Sequence, residues 1–592
     1  MPVYRRYIYH STYTMKRLPF LILLLLSSEL PAQTSFCPDD PPNNPFLADS
    51  PWPIYHRNNY AQASTCITGP LPGDSLQIKT KTEIQGGTSP WVYLSDAYPG
   101  GQRALLYSNA THVFKLIDEG DRIVAADSLR IDFDPIASFG WNFLLTKDRN
   151  WYTYDPKYDP ETGQSTKLIK LTDADPNDPY SEIIELDRFD FGSYDINRVQ
   201  HFSLNYRGQI VFNSENDESK GYATLGIISP DLDLLDTFRY STEPGEIVHH
   251  NAFPIDENNS LYVVTTSRLI CFTWDGNELA IAWEAAYDFV GDGPTGSFAE
   301  GSGTTPSLMG WGADNDQLVV LADGHAQNNL VAFWRNLPAD WAGFPGEDIR
   351  LAGKIQIPNA SSFSSTFQSI ENSPTVNGYS VAIAQFNGFL GYDCENVKGV
   401  QKFTWDQQLN RFQLDWTNDQ LNMNGVLTYS SGANLLYGSG KEEDCNYYYY
   451  GLNWDTGELE LRYQLGPEGT FLDDPFYDGG NANIIDEEGN IYFPGGGSII
   501  KVEIVERAIS STTKPREPIT YFSPTPNPAQ AYLNLPVEKG EAYTVQIHNV
   551  KGELLYQEAS QQLLNIEWLP AGLYLITLTK SGEQQIGKFV KW

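Results

Sequence analysis

Residues 481–505 of this 592-residue chain read NANIIDEEGNIYFPGGGSIIKVEIV, and this stretch decides the fold. An apolar run ends at Asp486, and the turn that follows places Gly489 where a positive φ is tolerated. Residues 490–493 alternate in polarity and predict a second strand, three glycines follow, and residues 498–505 predict a third strand. The stretch therefore predicts an antiparallel unit of short strands joined by tight turns.

The same pattern recurs along the chain. Aligned on the turn, the equivalent positions lie 53, 59, 51, 53, 68, 52 and 57 residues apart, at Thr88, Trp141, Gln200, Asn251, Thr304, Asn372, Asn424 and Asn481. A period of this length is expected of four-stranded propeller blades. The sequence therefore predicts an all-β chain with an eight-bladed β-propeller over residues 75–507. Seven blades is the alternative, because Thr88 and Trp141 are the least secure positions.

One strand stands outside the repeats. Residues 76–84 alternate in polarity but have no unit of their own, and the last unit supplies only three strands before Pro515. Pairing the two would complete the last blade and remove an exposed sheet edge. We therefore expect residues 76–84 to form the outer strand of the blade that contains residues 481–505.

Charge and cysteine usage limit the possible partners. The chain has 75 acidic and 39 basic side chains, a net charge of −36, which disfavours binding to nucleic acid or anionic lipid. In an oxidising compartment we expect the disulfides Cys37–Cys66 and Cys394–Cys445, although sequence alone does not fix connectivity. Cys271 lies in a strand-like apolar run and is expected to be a buried free thiol.

The N-terminal part resembles an export signal. Lys16 and Arg17 precede the apolar run 18–26, which is too short to span a bilayer, and a small-residue region follows at 31–33. Residues 1–33 are therefore interpreted as a signal peptide region with its start at Met15. Residues 34–74 are predicted to be an ordered lead-in that packs on the repeats, and residues 508–520 a linker.

Two propeller families resemble parts of the repeats. The turn at 159–163 and the hairpin 454–463, WDTGELELRY, resemble quinoprotein-like blades. Trp-Asp dipeptides at 274–275, 405–406 and 454–455 resemble WD-repeat blades. Both resemblances imply the propeller shape and neither carries over an active site, since the adjacent cysteines and the Gly-His pair of the two families are absent.

The tail, residues 521–592, contains a series of turn and strand residues in a fixed order, namely Pro526, Asn527, Pro528, Gly552, Gly572, Tyr574 and Lys588. In these features it resembles the type A C-terminal sorting domain of the Bacteroidetes type IX secretion system. The alternating runs between them predict a small Ig-like β-sandwich. The resemblance implies that the secretion machinery is a partner, that the protein is secreted or attached to the outer cell surface, and that the tail is its address. No other stretch approaches transmembrane length.

Metal and catalytic motifs are sparse. Asp173, Asp175 and Asn177 offer oxygen ligands at alternate positions, as a calcium loop requires, with a solvated acidic turn as the alternative. Two of His201, His249 and His250 meeting near the channel mouth would form a zinc or acid/base pair, with structural histidines as the alternative. Residues 301–303, Gly-Ser-Gly, lack the frame of a nucleophilic serine and are interpreted as a turn.

A ring of polar residues is the predicted binding site. Because inner strands of propeller blades begin at one rim, equivalent repeat positions form a ring. Its members are Gln200, Asn251, Thr304, Asn372, Asn424 and Asn481, with His250 beside them. Amides and hydroxyls suit sugar hydroxyls or a bound cation. The alternative is that they satisfy neighbouring backbone groups.

Two functional classes remain open. A secreted recognition protein for a polysaccharide or protein partner is favoured, because the ring lacks a base–nucleophile pair. The alternative is an extracellular enzyme that uses the funnel, such as a hydrolase, lyase or quinone-dependent dehydrogenase. No cofactor is indicated beyond the calcium ion considered at Asp173.

Overall fold

The computed structural model is almost entirely built of β-strands. It describes residues 37, 40–81, 91–108, 112–131, 143–157, 165–196, 199–214, 221–242, 246, 248, 251–289, 301–312, 315–358, 370–385, 399–467, 483–495, 498–508, 520–522, 524–535, 544–549, 554–559, 563–580 and 583–592. Within these ranges the one helix is a 3-10 turn at Phe191–Tyr194. The predicted all-β class is confirmed. The signal peptide region lies outside the described residues, and no helix in the described ranges could cross a membrane.

Two compact units divide the chain, Met1–Glu506 and Arg507–Trp592. The first unit opens with β1 (Ser64–Thr65) and β2 (Ser75–Lys81). Its repeats then form eight sheets among the described residues, numbered 1 to 8 here in chain order. Each sheet begins at, or within four residues of, one of the eight repeat positions that the sequence defined.

The strands follow one another as simple antiparallel meanders. Sheets 1 and 2 contain β3 (Val92–Leu94), β4 (Ala104–Ser108), β5 (His112–Asp118), β6 (Ile123–Arg130), β7 (Leu144–Leu145), β8 (Trp151–Lys157), β9 (Ser165–Asp173) and β10 (Ile183–Asp190). Sheets 3 and 4 contain β11 (Val199–Leu204), β12 (Ile210–Ser214), β13 (Tyr222–Ile228), β14 (Leu234–Ser241), β15 (Ser260–Val264), β16 (Arg268–Trp274) and β17 (Leu279–Ala286). In sheet 4 a bridge between Ile255 and Leu261 takes the place of a first strand.

The second half of the unit repeats this plan. Sheets 5 and 6 contain β18 (Ser307–Met309), β19 (Leu318–Ala322), β20 (Asn329–Trp334), β21 (Leu351–Gln356), β22 (Thr375–Asn377), β23 (Ser380–Ala384), β24 (Val400–Asp406) and β25 (Arg411–Asn418). Sheets 7 and 8 contain β26 (Asn424–Ser430), β27 (Leu435–Lys441), β28 (Asn446–Asn453), β29 (Leu459–Pro467), β30 (Ile484–Ile485), β31 (Ile491–Gly495) and β32 (Ser498–Glu506).

Buried apolar clusters join each sheet to the next. Sheet 1 shares a cluster with sheet 2, sheet 2 with sheet 3, and so on to sheet 8. A further cluster joins sheet 8 back to sheet 1, where Ile484 and Ile499 pack with Val92 and Leu105. Burial of apolar area at about 25 cal/mol per Å² stabilises every one of these contacts. The order of neighbouring sheets therefore returns to its starting point.

The strand outside the repeats completes the last sheet. β2 pairs antiparallel with β32, with Ile78 opposite Val502 and Lys79 opposite Lys501. Lys79 also forms an ion pair with Glu503 at 2.5 Å. The predicted pairing of the N-terminal strand with the last repeat is confirmed over Ser75–Lys81, and residues 82–84 of the prediction lie outside the described residues.

The lead-in runs along the first strands of the sheets. The N–H groups of Leu94, Leu145, Ile255, Leu308, Val376 and Tyr429 donate to carbonyls of Trp52, Pro53, Asn59, Tyr60, Gln62 and Ala63 at 2.8–3.3 Å. The Asn59 side chain reaches sheet 3 by donating to the Leu204 carbonyl at 2.6 Å. β1 lies parallel to β26. The described part of the lead-in, residues 37 and 40–74, therefore contacts the first strands of seven sheets in turn.

Disulfides hold the lead-in and sheet 7. Cys37 and Cys66 are bonded, as predicted. Cys445 is also disulfide-bonded, and its predicted partner, Cys394, lies outside the described residues. Cys271 is a buried free thiol, as expected.

The second unit contains two sheets in its described part. One has the order β33 (Thr520–Phe522), β39 (Glu583–Lys591), β38 (Gly572–Lys580), β35 (Thr544–Asn549) and β36 (Leu554–Ala559), and the other pairs β34 (Tyr532–Asn534) with β37 (Leu563–Asn565). Leu533, Ile547, Ile576 and Phe589 belong to its buried core. Of the sorting motif, Asn527 fixes the C-terminal strand by accepting from the Val590 N–H at 2.9 Å, and Gly552 lies outside the described residues.

The pairing of β2 makes a testable prediction. Replacing Ser75–Lys81 by a glycine–serine run of equal length should lower the free energy of unfolding by at least about 3 kcal/mol, because the Leu76 and Ile78 side chains lose about 1.5 kcal/mol or more each. Thermal and urea unfolding measure this. A glycine–serine run in place of the five mostly exposed residues 342–346 is the control, and equal losses in both variants would contradict the role of β2.

Candidate functional site

The hydrogen bonds to the lead-in identify structurally equivalent residues in the first strands of the sheets. Leu94, Leu308 and Val376 each donate one N–H to it, while the Leu204 carbonyl accepts from Asn59. Three residues before each of these four positions stand Trp91, His201, Thr305 and Ser373. The structure brings those side chains together around Tyr55 of the lead-in. We call Tyr55, Trp91, His201, Thr305 and Ser373 the central cluster.

Tyr55 is the middle of the central cluster. Its ring lies edge-on to Trp91 at 4.3 Å and to His201 at 5.3 Å between centroids. Its hydroxyl forms hydrogen bonds with the Thr305 and Ser373 side chains. The Ser373 hydroxyl also accepts from the Thr305 N–H at 3.0 Å. One side chain of the lead-in therefore links sheets 1, 3, 5 and 6.

Burial keeps the two histidines here uncharged. Burial lowers the pKa of His201 to about 4, and it lowers the pKa of the adjacent His56 to about 3, with the nearby His201 adding to the effect. Burial also raises the pKa of Tyr55 well above its ordinary value. At neutral pH the cluster therefore presents aromatic faces, hydroxyls and neutral imidazole.

Glu371 stands two residues before Ser373, in the segment that leads into β22. Its carboxylate packs against the backbone of Gly303, where an added Cβ would lie 1.8 Å from Oε2. Oε1 is buried without a hydrogen-bond partner among the described residues. Burial alone raises the pKa of Glu371 to about 8. A carboxylic acid that is neutral at pH 7 thus lies next to the central cluster.

Three side chains of the predicted polar ring form hydrogen bonds with backbone groups of the protein. Asn251 donates to the Ser302 carbonyl at 3.1 Å. Thr304 is fully buried and accepts from the Ala322 N–H at 3.1 Å. Asn372 accepts from the Gly425 N–H at 3.1 Å and donates to the Gln385 carbonyl at 3.2 Å. These three side chains satisfy backbone groups, which is the alternative that the sequence left open.

The side chains of the remaining ring members are not among those that the structure describes. Gln200 and Asn424 lie in β11 and β26, and only their backbone is described. His249, His250, Asn481, Thr88 and Trp141 lie outside the described residues. A meeting of His201 with His249 or His250 stays a prediction.

Period-two alternation explains the difference. Side chains of successive strand residues point to opposite faces, so an alignment that is off by one residue selects the wrong face. Asn372 forms its hydrogen bonds with sheets 6 and 7, whereas Ser373 contacts Tyr55 of the lead-in. The aromatic segment Trp52–Tyr60 was the feature of the sequence that could have indicated this cluster. His201, Thr305 and Ser373 each directly follow a position of the predicted ring.

The predicted calcium loop has other partners. Asp173 is buried, forms an ion pair with Lys115 at 2.5 Å and accepts from the Tyr98 hydroxyl at 2.7 Å. Asp175 accepts from the Asn177 N–H at 2.9 Å, which closes a local turn. No group of three His, Cys, Asp or Glu side chains in the described part of the chain could hold a metal ion. The contacts of Asp175 and Asn177 fit the solvated acidic turn, whereas Asp173 is buried in an ion pair.

Ser302 is a structural residue. It is fully buried, and its hydroxyl lies 2.9 Å from that of Thr304. Gly301 has φ +92°, and a Cβ there would meet the Thr266 backbone at 2.3 Å. The turn interpretation of residues 301–303 fits this geometry, and Gly303 makes room for Glu371.

Asn372 should contribute to stability. Asn372→Ala leaves the Gly425 N–H without its acceptor, so the free energy of unfolding should fall by about 1–3 kcal/mol. Urea unfolding measures the loss, with the exposed Asn277→Ala as control. An unchanged midpoint would contradict the structural role.

Glu371 should make stability depend on pH. The folded chain keeps this proton up to about pH 8, whereas an ordinary glutamic acid loses it near 4.3, so stability should fall as pH rises through this interval. Glu371→Gln removes the effect, and its melting temperature relative to wild type should rise between about pH 5 and about pH 9. The exposed Glu458→Gln is the control. A pH-independent difference between Glu371→Gln and wild type would contradict a buried neutral acid.

Solved structures with related shapes share little sequence with this chain. A europium-containing methanol dehydrogenase is 9% identical with a TM-score of 0.46, covering 75% of this chain and 88% of its own. The periplasmic gluconolactonase of Pseudomonas aeruginosa is 11% identical with a TM-score of 0.38, covering 67% and 97%. The beta-propeller domain of Cps50 (Swd1) from Myceliophteria thermophila is 7% identical with a TM-score of 0.29, covering 60% and 92%. Similarities at this level assign no activity.

One relative matches most of the chain. An uncharacterized protein of Archaeoglobus fulgidus is 27% identical over 463 residues, which cover 72% of this chain and 83% of the relative.

The tail has a family match. Residues 525–592 match the secretion system C-terminal sorting domain. This agrees with the resemblance to type IX sorting domains in residues 521–592, and it identifies the secretion machinery as a partner of the tail. The chain is therefore cargo of that system, delivered to the cell surface or beyond it.

Proposed function

We propose that residues 64–506 form an eight-bladed β-propeller that binds an uncharged, hydroxyl-rich ligand outside the cell. Eight meanders, each packed on the next and the last on the first, support the ring. The two sheets of the tail and their shared core support a sandwich. In this ring the first strands line the channel, and the lead-in occupies it.

The uncharged central cluster is the observation that carries the function. Trp91 and Tyr55 supply aromatic faces, Thr305 and Ser373 supply hydroxyls, and His201 is neutral at pH 7 because its pKa is lowered to about 4. A charged ligand would lose its hydration there without gaining an opposite charge. Aromatic faces with a few convergent polar groups are typical of small-ligand sites.

A neutral glycan fits these properties best. Sugar rings have apolar faces that pack on Trp91 and hydroxyls that exchange hydrogen bonds with Glu371, Ser373 and Thr305. The net charge of −36 repels acidic polysaccharides. Cell-surface delivery places the protein where glycans are met. Recognition of an extracellular glycan is therefore the primary function proposed.

Glu371 favours a second candidate, an extracellular hydrolase or lyase. Its pKa of about 8 keeps the carboxylic acid protonated at neutral pH, as a general acid requires. In the hydrolase, the acid would donate its proton to the leaving oxygen as the glycosidic C–O bond breaks, and a water molecule would supply the hydroxyl that bonds to the anomeric carbon. Release of reducing ends by wild type, abolished in Glu371→Gln with binding retained, would establish this second candidate.

Binding is tested by calorimetric titration of the full-length protein with a panel of neutral oligosaccharides, namely cello-, xylo-, manno- and N-acetylated chito-oligosaccharides. Trp91→Ala should weaken the binding of the recognised oligosaccharide at least about tenfold, a loss of about 1.4 kcal/mol, because it removes the aromatic face. Trp91→Phe should retain most of the affinity.

The outcomes are separable. Trp283→Ala, on the outermost strand of sheet 4, is the matched control and should bind like wild type. Ser373→Val tests the hydroxyls if Trp91→Ala is unstable. Binding that is unchanged in both Trp91→Ala and Ser373→Val would overturn the central cluster as the site, and binding of none of the panel would overturn a neutral glycan as its ligand.

A further inference from the structure

A cavity lies on a different part of the propeller unit, away from the central cluster. Its volume is about 380 Å³, and it is bounded by the Cys37–Cys66 end of the lead-in and by the turns after β18, β22 and β26. Trp311, Asn377, Tyr379 and Ser431 are among its lining residues. None of them belongs to the central cluster. The volume falls in the range of about 300–1,000 Å³ that is typical of small-ligand sites.

The walls of this cavity are fixed by the fold. The guanidinium of Arg57 donates to both carboxylate oxygens of Asp40, at 2.7 and 2.5 Å, beside the Cys37–Cys66 disulfide. Gly310 has φ +72°, and a Cβ there would lie 1.9 Å from the Asp316 carbonyl. A site whose shape exists before binding loses little conformational entropy when a ligand enters.

The lining is aromatic and polar. Tyr379 is positioned by its hydroxyl, which donates to the Asp316 carbonyl at 2.7 Å. Trp311 is held edge-on by the ring of Tyr60, with 6.3 Å between centroids. The side chains of Asn377 and Ser431 make no hydrogen bond to other described residues, so their donors and acceptors remain available. The charge of Asp40 is neutralised by Arg57.

We propose that this cavity is a second binding site, for one or two neutral sugar units at the end of a glycan chain. The apolar face of a sugar ring packs on Trp311, and its hydroxyls exchange hydrogen bonds with Asn377 and Ser431. Because Asp40 is already paired with Arg57, the ligand does not have to carry a charge that neutralises it. A cavity this small admits the end of a chain and not its middle.

The test uses the full-length protein and four neutral disaccharides, namely cellobiose, xylobiose, mannobiose and N,N′-diacetylchitobiose. Binding is measured by saturation-transfer NMR and calorimetric titration. At least one should bind, and Trp311→Ala should weaken that binding at least about tenfold. Trp311→Phe, which keeps an aromatic face, should bind within about threefold of wild type. Ser431→Trp, at an exposed turn, fills the cavity and should abolish binding without lowering the melting temperature.

The two sites are distinguished by their variants. Loss in Trp311→Ala and Ser431→Trp with retention in Trp91→Ala supports the cavity, whatever becomes of the central cluster. Retention of affinity in both cavity variants would overturn the proposal. So would the failure of all four disaccharides to bind wild type, or tighter binding of glucuronic acid than of the neutral sugars.

Discussion

The architecture depends on the hydrogen bonds between the lead-in and the first strands of the sheets. A first strand leaves one row of N–H and C=O groups unpaired, and in a ring of sheets these groups are enclosed where water is scarce. Six lead-in carbonyls accept one N–H each from six different sheets, and the Asn59 amide reaches a seventh. β2 then pairs with the eighth. One continuous segment thus contacts every sheet, which couples the sheets to one another.

Following that path strains the segment. His56, Arg57, Ala61 and Ala63 all have φ between +53° and +76°, a region that residues with a Cβ avoid. Each costs about 1–3 kcal/mol and persists only when the surroundings enforce it. The burial of Trp52 and Tyr60, which are 2% and 0% exposed, offsets this cost. These four residues lie within 56–63, directly after Tyr55 of the central cluster, so the fold and the candidate site depend on the same part of the chain.

Sequence patterns predicted the parts of the fold that depend on local spacing. The repeat positions locate all eight sheets, residues 75–81 could be assigned to the last sheet by counting strands, and Cys37–Cys66 followed from position in the chain. The central cluster could not be found in this way. Its members come from the lead-in and from four distant repeats. Which residue of each repeat contacts the lead-in depends on a shift of one position in the alignment. The choice between Asn372 and its neighbours is invisible to an alignment based on turns, since both faces of that segment are polar.

The distribution of charge defines the kind of recognition available. The net charge of −36 contrasts with the two candidate sites, because His201 of the central cluster and the adjacent Glu371 are neutral at pH 7 and the Asp40 carboxylate is paired with Arg57. Neither candidate site therefore offers a net charge to attract a ligand, and selectivity has to come from hydrogen bonds and aromatic contact. Such sites discriminate strongly, because a ligand that lacks one hydroxyl leaves a buried partner unsatisfied. Rigid walls increase this discrimination, because a site that cannot adjust its shape cannot compensate for the missing group. In the two proposed sites, the rigidity of the lead-in and of the Arg57–Asp40 pair would therefore favour selection among ligands by the position of their hydroxyls, and it would reduce the entropy lost on binding.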